Sequence, residues 1–493
     1  MTHFWSCVTD YSIQKPNELA LIGDHNSYSW AELYNSVIAL SHQLHGYKNN
    51  VVALYADNSP AWVIIDLASR LADITLLPLP LFFSQQQLQH AIASAGTTAI
   101  IHQKDDVLSQ LLSLSSASDI NLNGFVIERC DDRKKVTLPA ATGKITFTSG
   151  STGQPKGVCL SNDQQIIVAE SLLKASEQTT TRHLAILPFS TLLENIGGIY
   201  TPLLSGGVVI AVSQSTLGFN GNSGFDLTTF LSTISHFQPN SLILLPELLL
   251  ALVGAVKQGW QPPSSLKFIA VGGSRVATVL LEQAQQSGLP VYQGYGLSEC
   301  CSVVSLNTPS ASRVDSIGKV LPPCQVSIEK GEIIVSGNTF LGYIDQPDSW
   351  YPTQVATGDL GKLDHDGFLT LSGRKKNLLI SSFGRNINPE WIESELVSNG
   401  LLQQCVVFGD AQPFCVALVR PRDNTTTDDT IQLWIDHINS GLPDYANIKL
   451  WIRLIEPLTF EQGLVTSNGR PVRTAILSHF QHKIESLYQG HAE

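Results

Sequence analysis

The chain has 493 residues, of which 43% are hydrophobic and 15% charged, and its formal net charge is −12. This length predicts about two to four domains with several buried cores. A net acidic chain without a long lysine and arginine run is a poor binder of nucleic acids and of anionic membranes. We therefore expect no nucleic-acid partner.

The N-terminal residues and the cysteines indicate the targeting and the redox state of the protein. The first residues lack the basic segment and long apolar core of a secretory signal. Cysteines stand at positions 7, 130, 159, 300, 301, 324, 405 and 415, with no CxxC spacing and no nearby histidine pattern. We expect reduced, mostly buried thiols in a cytoplasmic protein, rather than a disulfide or zinc framework.

Short β-branched runs alternate with amphipathic helical stretches through the first part of the chain. The predicted strands are residues 51–55, 98–101, 124–127, 208–211, 242–245 and 268–271. This alternation predicts an α/β fold with parallel sheets covered by helices. The very apolar segment 242–256 is shorter than the roughly 20 residues of a membrane span, and Pro246 and Glu247 interrupt it. We expect a buried strand entering a helix at Pro246, and no transmembrane segment.

The character of the sequence changes after Gly318. Strands are predicted at 326–329, 331–335 and 368–371, then a helix at 389–396, strands at 404–408 and 414–419, and a solvated loop at 423–429. The turn residues between the first three strands predict a small β-rich subdomain over about residues 318–373. We expect a large N-terminal domain over residues 1–373 and a small α+β C-terminal domain over residues 374–493.

Residues 145–157 read ITFTSGSTGQPKG and are the most informative segment of the chain. Glycines let backbone N–H groups approach an anion, hydroxyls add donors, and Lys156 adds a positive charge. The candidate phosphate-binding residues before Lys156 are Thr148, Ser149, Gly150, Ser151, Thr152 and Gly153. The segment is not a GxxxxGK[ST] loop, because Pro155 stands where the second Gly is required and Gly157 stands where Ser or Thr is required. The alternative is a glycine-rich connector.

This segment resembles the nucleotide-binding signature of the adenylate-forming enzymes, which include acyl-CoA synthetases. Further motifs of that family follow in order: LPFSTLLE at 187–194, VGGS at 271–274, YGLSE at 295–299, TGDL at 357–360, GRKKN at 373–377, FGRNINP at 383–389 and TSNGR at 466–470. The resemblance extends over nearly the whole chain. It implies a large N-terminal body and a C-terminal lid hinged near Lys376.

The resemblance implies an ATP site built from these motifs, in which the 148–153 loop holds phosphates. Glu299 would bind Mg²⁺, which prefers oxygen ligands, and Ser298 would bond to the α-phosphate. Tyr295, followed by Gly296, offers an aromatic face to adenine. Three further residues are expected where adenine meets the acyl pocket, namely Gly272, Gly273 and Ser274.

Two later motifs are expected at the ribose. Asp359 resembles the family's carboxylate that accepts from both ribose hydroxyls, and Arg374 is expected close to the ribose and phosphate. Taken alone, Asp359 is typical of a turn, and Arg374 is typical of a solvent-exposed charge at a hinge. Their place in the ordered series of motifs favours the functional interpretation of both.

The chain departs from the family pattern at two positions. Where the family has a lysine that contacts the carboxylate and α-phosphate, this chain has Arg470, whose guanidinium stays cationic but differs in reach. We expect Arg470 to take the lysine's role. The alternatives are a slightly shifted register or a weakened adenylation step. Thr191 stands where relatives often have histidine or an aromatic residue.

The family reaction converts a carboxylic acid with ATP into acyl-AMP, and a pantetheine thiol then attacks it while the loop carrying Gly384 swings inward. We predict a medium- or long-chain fatty acid and coenzyme A as substrates. The alternatives are an aryl-acid ligase, a ligase for an acyl carrier protein, a thiol-independent acyl-AMP ligase, and a non-catalytic acyl- or nucleotide-binding protein. Asp226 is either an amino-group ligand or a helix cap. No motif indicates the oligomeric state.

Overall fold

The computed structural model describes residues 3–104, 108, 112, 114–120, 122, 124–130, 135–148, 156–220, 224–466 and 469–489. Within these ranges the chain forms two large mixed sheets, a four-stranded sheet, a three-stranded sheet and two two-stranded ribbons. The ribbons pair Phe219–Asn220 with Gly224–Phe225, and Leu379–Ile380 with Asn386–Ile387.

The first large sheet has nine strands. In spatial order they are Lys319–Val320, Ser305–Leu306, Val291–Tyr295, Phe268–Val271, Ser241–Leu244, Arg182–Leu184, Val208–Ile210, Leu19–Ile22 and Ser27–Ser29. The six strands from Val291–Tyr295 to Leu19–Ile22 run parallel. Their carboxyl ends therefore share one edge, where Gly272 and Gly296 follow neighbouring strands.

The second large sheet has eight strands in the described residues. In spatial order they are Gly342–Tyr343, Lys156–Ser161, Thr142–Thr148, Thr75–Pro78, Val51–Tyr55, Ala99–Gln103, Phe125–Cys130 and Leu114–Asp119. The middle four strands are parallel, but Phe125–Cys130 is antiparallel to both of its neighbours, unlike the prediction for residues 124–127. It belongs to an edge meander with Leu114–Asp119, a connection that gives antiparallel pairs.

Helices cover the sheets of the N-terminal region. They are His3–Gln14, Trp30–Leu44, Pro60–Leu71, Gln85–Ser94, Asn162–Ser176, Leu192–Glu194, Thr201–Leu204, Leu227–Phe237, Pro246–Lys257 and Thr278–Gln286, with the π-helix Asn195–Tyr200. Short 3₁₀ turns are His45–Tyr47, Ser298–Cys300, Pro347–Ser349, Lys375–Asn377 and Asp444–Ala446.

Local signals explain where several helices begin. The Ser29 hydroxyl accepts from the Glu32 backbone N–H while the Glu32 carboxylate accepts from Ser29, which is a capping box. Pro246 occupies the first turn of its helix directly after the buried strand Ser241–Leu244, as predicted. Within the described part of the chain, no helix is both long and apolar enough to cross a membrane.

The predicted β-rich segment is a four-stranded antiparallel sheet of Gln325–Glu329, Glu332–Ser336, Gln354–Leu363 and Leu369–Arg374. The strands Leu402–Phe408, Cys415–Pro421 and Ile448–Arg453 form the C-terminal sheet, beside the helices Pro389–Val397, Asp428–Asn439 and Arg473–Gln489. The predicted loop 423–429 ends early, because Thr427 accepts from the Thr430 N–H and starts a helix at Asp428. The α/β fold with a small α+β C-terminal part is confirmed.

Candidate active site

Asp359 is the centre of the best-defined group of predicted site residues. It lies opposite Arg374 on neighbouring antiparallel strands, and the Arg374 Nε is 2.8 Å from Asp359 Oδ1. The Tyr295 hydroxyl donates to the other oxygen, Oδ2, over 2.7 Å. The Asp359 residue is only 3% exposed, so both carboxylate oxygens are held inside the protein. Three motifs that are distant in sequence therefore meet at one carboxylate.

The electrostatics of this group follow from burial and charge. Burial raises the pKa of Asp359, and the Arg374 guanidinium, the Tyr295 hydrogen bond and the more distant Arg470 charge oppose that rise. Burial also raises the pKa of Tyr295, and the Asp359 charge raises it further. Tyr295 is therefore a neutral donor, and Asp359 is a desolvated acceptor suited to neutral hydroxyl groups.

Glu299 lies in the 3₁₀ turn Ser298–Cys300, directly after Tyr295 and Gly296. Its carbonyl accepts from the Phe340 N–H over 2.8 Å, and its Oε1 accepts from the Tyr343 hydroxyl over 2.8 Å. The Lys156 Nζ lies 5.1 Å from the centroid of the Tyr343 ring. Tyr343 thus joins the predicted magnesium ligand to the predicted phosphate-loop lysine, and the sequence analysis did not identify it.

The two ends of the predicted phosphate loop are held by strand pairing. The backbone of Thr148 is opposite Lys156, at the end of the hairpin between Thr142–Thr148 and Lys156–Ser161. Residues 149–153 of the prediction, together with the Thr148 side chain, lie outside the described residues. The structure therefore fixes where the loop starts and ends, at the same edge as Tyr343.

Backbone geometry explains two of the predicted glycines. Gly273 has φ of +83°, a conformation that disfavours other residues, and it follows the strand Phe268–Val271 with Gly272 and Ser274 beside it. A Cβ on Gly296 would lie 1.5 Å from the Ser302 carbonyl oxygen, so no side chain fits there. Gly384 lies in the turn before Asn386–Ile387, where its N–H donates to the Ser381 carbonyl over 2.8 Å.

The two C-terminal arginines have different surroundings. The Arg470 guanidinium donates from Nη2 to the carbonyl of Gly273, in the N-terminal region. Arg473 instead pairs with Glu393 at 2.5 Å and donates to the Val407 carbonyl over 2.9 Å, so it stays within the C-terminal domain. Of the two, Arg470 is therefore the arginine that contacts the segment of Gly272, Gly273 and Ser274, at the predicted boundary of the acyl and nucleotide sites.

The contacts of Asp226 and the burial of Cys300 and Cys301 indicate structural roles for these three residues. Asp226 caps the helix Leu227–Phe237, since its carboxylate accepts from the backbone of Thr228 and Thr229. These contacts agree with the interpretation of Asp226 as a helix cap, so no role in binding a substrate amino group is needed to explain it. Cys300 and Cys301 are fully buried, and burial raises the pKa of both thiols, so neither is an activated nucleophile. In the described residues, no group of three or more His, Cys, Asp or Glu side chains is arranged to hold a metal ion.

This fold, with a small C-terminal domain whose arginine contacts the large domain near Asp359, is that of the adenylate-forming enzymes. Residues 10–344 match the family model of AMP-binding enzymes, and residues 376–492 match that of the AMP-binding enzyme C-terminal domain. The chain therefore belongs to the AMP-binding enzyme family. The resemblance found in the sequence, and the prediction of an enzyme, are confirmed.

Three similar proteins are informative about the family branch. A 2-succinylbenzoate–CoA ligase of Bacillus velezensis is 27% identical over 423 residues, which cover 81% of this chain and 83% of that protein. A feruloyl-CoA synthase of an Amycolatopsis species is 26% identical over 458 residues, covering 85% and 89%. The solved O-succinylbenzoate coenzyme A synthetase of Bacillus subtilis, in complex with ATP and magnesium, has a TM-score of 0.74 and 22% identity, covering 95% and 97%.

Proposed function

We propose that the chain is an AMP-forming acid–thiol ligase. It uses ATP to convert a carboxylic acid into acyl-AMP and pyrophosphate, and then transfers the acyl group to coenzyme A. The observation that carries this proposal is the convergence of Tyr295, Arg374 and the Gly273 contact of Arg470 around the buried carboxylate of Asp359. The relatives named above are CoA ligases, which favours a catalytic function over a non-catalytic binding protein.

The nucleotide site follows from the same contacts. Asp359 accepts from the ribose hydroxyls, and the bonds from Tyr295 and Arg374 hold its carboxylate in one orientation. The described contacts of Glu299 engage Oε1 only, so its second carboxylate oxygen suits a hard cation such as Mg²⁺. Bound Mg²⁺ would neutralise phosphate charge during the displacement. Lys156 supplies further positive charge beside Tyr343.

Arg470 is the group proposed to act on the reacting atoms. Its guanidinium is held at the Gly273 carbonyl, which follows the strand Phe268–Val271 at the proposed adenine and acid boundary. A planar cation at this place grips a carboxylate or an α-phosphate bidentately and stabilises the negative charge that develops in the displacement. Ser298 is proposed to add a hydroxyl donor to the α-phosphate.

The second half-reaction needs a movement of the C-terminal domain, which we place at Lys376. This residue lies in the 3₁₀ turn Lys375–Asn377, where the Asn377 amide donates to Glu390 over 2.6 Å. Burial and the neighbouring Arg374 charge lower the pKa of Lys376. Rotation here would withdraw Arg470 and bring the loop of Gly384 to the thiol, so we propose residues 374–493 as the moving unit.

We propose an aryl carboxylic acid as the substrate class, in place of the fatty acid predicted from the sequence. The support is the naming of the relatives, which are ligases for 2-succinylbenzoate and ferulate. Both names specify coenzyme A, which favours it over an acyl carrier protein as the acceptor. Fatty-acid metabolism has no support among these relatives.

The test is pyrophosphate release from ATP and Mg²⁺ with a panel of acids, each with and without coenzyme A. The panel contains 2-succinylbenzoate, ferulate, benzoates, and fatty acids of medium and long chain. We expect release with aryl acids, formation of the CoA thioester when coenzyme A is added, and loss of both with EDTA. Turnover of fatty acids alone would restore the original prediction, and silence across the panel would contradict the ligase.

A further inference from the structure

A buried lysine outside the described site occupies an unusual position. Lys144 is 1% exposed and lies in the strand Thr142–Thr148, which leads directly into the predicted phosphate loop. Its ammonium donates three hydrogen bonds: to Asp66 over 2.5 Å, to Asn195 over 2.5 Å and to Tyr200 over 2.7 Å. All three donors of the ammonium are therefore used.

Two of the three partners of Lys144, the Asn195 amide and the Tyr200 hydroxyl, lie at opposite ends of one element. Asn195 is the first residue of the π-helix Asn195–Tyr200, and Tyr200 is its last. The Tyr200 hydroxyl also donates to Asp66 over 2.5 Å, which closes the network on the helix Pro60–Leu71. One ammonium thus fixes both ends of this π-helix to the strand that carries the phosphate loop.

The acid pocket is expected near residues 194–200, 270–276 and 295–302, so the π-helix, which follows the LPFSTLLE motif, is one of its expected walls. A Cβ on Gly197 would lie 2.8 Å from Ile243 Cδ1, in the strand Ser241–Leu244. That strand pairs with Phe268–Val271, which ends at the glycines near Arg470. On the other side, Lys144 is close enough to Cys301 to lower the pKa of that thiol against the effect of burial. Lys144 therefore lies among segments that lead to the nucleotide and acid sites.

Stability alone gives a weak reason for this arrangement. Desolvating an ammonium and a carboxylate costs several kcal/mol per ion, and apolar replacement of a buried pair is often neutral or stabilising. Burial lowers the pKa of Lys144 to about 8, so the network bears a real desolvation cost. A fixed geometry of the π-helix, and thereby of the pocket wall, is a gain that an apolar pair would not supply.

We propose that Lys144 is a positioning residue that holds the π-helix Asn195–Tyr200 at both ends and thereby fixes one wall of the acid pocket. This inference rests on the proposed ligase function, since it concerns the acid that the ligase activates. Lys144 acts through Asn195 and Tyr200 and touches no reacting atom. Its loss should impair use of the acid far more than use of ATP.

The test uses the double variant K144M/D66N, which removes both buried charges while keeping side-chain size and an acceptor for the Tyr200 hydroxyl. The matched control is H102Q/E128Q, because His102 and Glu128 form a buried pair at 3.5 Å in the same sheet, on strands away from the π-helix. Hydrogen exchange of residues 195–200 is measured in the unliganded protein. Pyrophosphate release is measured with varied acid and with varied ATP.

We expect K144M/D66N to keep a melting temperature near that of the parent and to show faster exchange at 195–200. Its kcat/KM for the acid should fall roughly 10- to 100-fold, as for a small misplacement of a substrate, while its KM for ATP changes little. H102Q/E128Q should match the parent in both measurements.

Three results would overturn the inference: unchanged exchange at 195–200, faster exchange with unchanged acid kinetics, or an equal loss for acid and ATP that follows the loss of stability. If the parent turns over no acid, the proposed function fails by itself. The exchange result then decides alone whether Lys144 holds the π-helix.

Discussion

Asp359 and Arg374 face each other across two neighbouring antiparallel strands, with 2.8 Å between the Asp359 Oδ1 and the Arg374 Nε. The sheet register alone brings them together, since the backbones of the two residues are directly paired. The pair lies at the end of the strand Leu369–Arg374, immediately before the turn that leads into the C-terminal domain. A nucleotide bound at Asp359 would therefore lie beside the proposed hinge.

Replacing Asp359 tests the ribose contact. An Asp359→Asn side chain loses the ion pair with Arg374 and presents one acceptor oxygen in place of two, so the KM for ATP should rise. The loss of charged hydrogen bonds corresponds to a decrease of about 10- to 100-fold in kcat/KM for ATP. The measurement is pyrophosphate release at varied ATP with a saturating acid.

The control for that variant is Asp364→Asn, in the turn between the strands Gln354–Leu363 and Leu369–Arg374, where the carboxylate pairs with Arg313 at 2.7 Å on the surface. A surface pair of this kind contributes little to stability, and its loss should leave the kinetics unchanged. An unchanged KM for ATP in the Asp359 variant would remove that residue from the nucleotide site.

Variants of Arg470 test whether this arginine takes the role of the lysine that the family has at this position. Arg470→Ala should slow acyl-AMP formation about 10- to 100-fold, because it removes a charge-assisted contact to the reacting groups. Arg470→Lys should retain part of the rate, since the charge remains. Transfer to coenzyme A from presynthesised acyl-AMP should be close to that of the parent.

A suitable control is Arg422→Ala, an exposed arginine of the C-terminal domain that donates to the Gly400 carbonyl. Its adenylation rate should be that of the parent. If Arg470→Ala formed acyl-AMP as fast as the parent, the guanidinium at Gly273 would be a domain contact only.

Much of the fold was predictable from local signals, as the strand and helix that meet at Pro246 illustrate. The contact of Tyr295 with Asp359 could be expected only because both residues belong to motifs of one family, since they are 64 positions apart in the sequence. Tyr343 had no such signal. Its contact with Glu299 depends on the register of Gly342–Tyr343 against Lys156–Ser161, which a single sequence does not encode in any local pattern.

Lys144 illustrates a second limit of sequence reasoning. A lysine in a strand ordinarily predicts a solvent-facing position, because an isolated buried ammonium is costly. Here Asp66, Asn195 and Tyr200 supply three acceptors from two other elements. The burial of Lys144 is thus a property of the tertiary packing and becomes visible only in the structure.

Tyr343 provides a test of the cation site. Tyr343→Phe removes the hydroxyl that donates to Glu299 Oε1, so the carboxylate loses its fixed orientation. We expect the Mg²⁺ concentration for half-maximal pyrophosphate release to rise about 10-fold, as for a lost hydrogen bond to a charged group. Tyr351→Phe is the control, since the Tyr351 hydroxyl contacts only the Ala140 N–H among the described hydrogen bonds. An unchanged Mg²⁺ requirement would separate Tyr343 from the proposed metal ligand.

The buried thiols predict how stability depends on pH. Burial raises the pKa of Cys324 to about 11 and of Cys159 and Cys415 to about 12, and it raises the pKa of Cys300, Cys301 and Cys405 as well. These folded-state values lie above the unfolded value of 9.0. The stabilising contribution is therefore fully present below pH 9 and is lost as the pH rises toward the folded values.

Lys144 opposes this trend, because its folded pKa of about 8 is below its ordinary value of 10.5, so its contribution to stability rises between these limits. Lys376, whose pKa is also lowered, acts in the same direction as Lys144, and two lysines against six thiols still leave a net decrease above pH 9. Each thiol contributes a slope of up to about 1.4 kcal/mol per pH unit to the free energy of unfolding. Urea unfolding at pH 8, 9 and 10 should show this loss, and Cys415→Ala should reduce the slope by one thiol's share. A slope that is the same in Cys415→Ala would show that this thiol does not titrate on unfolding.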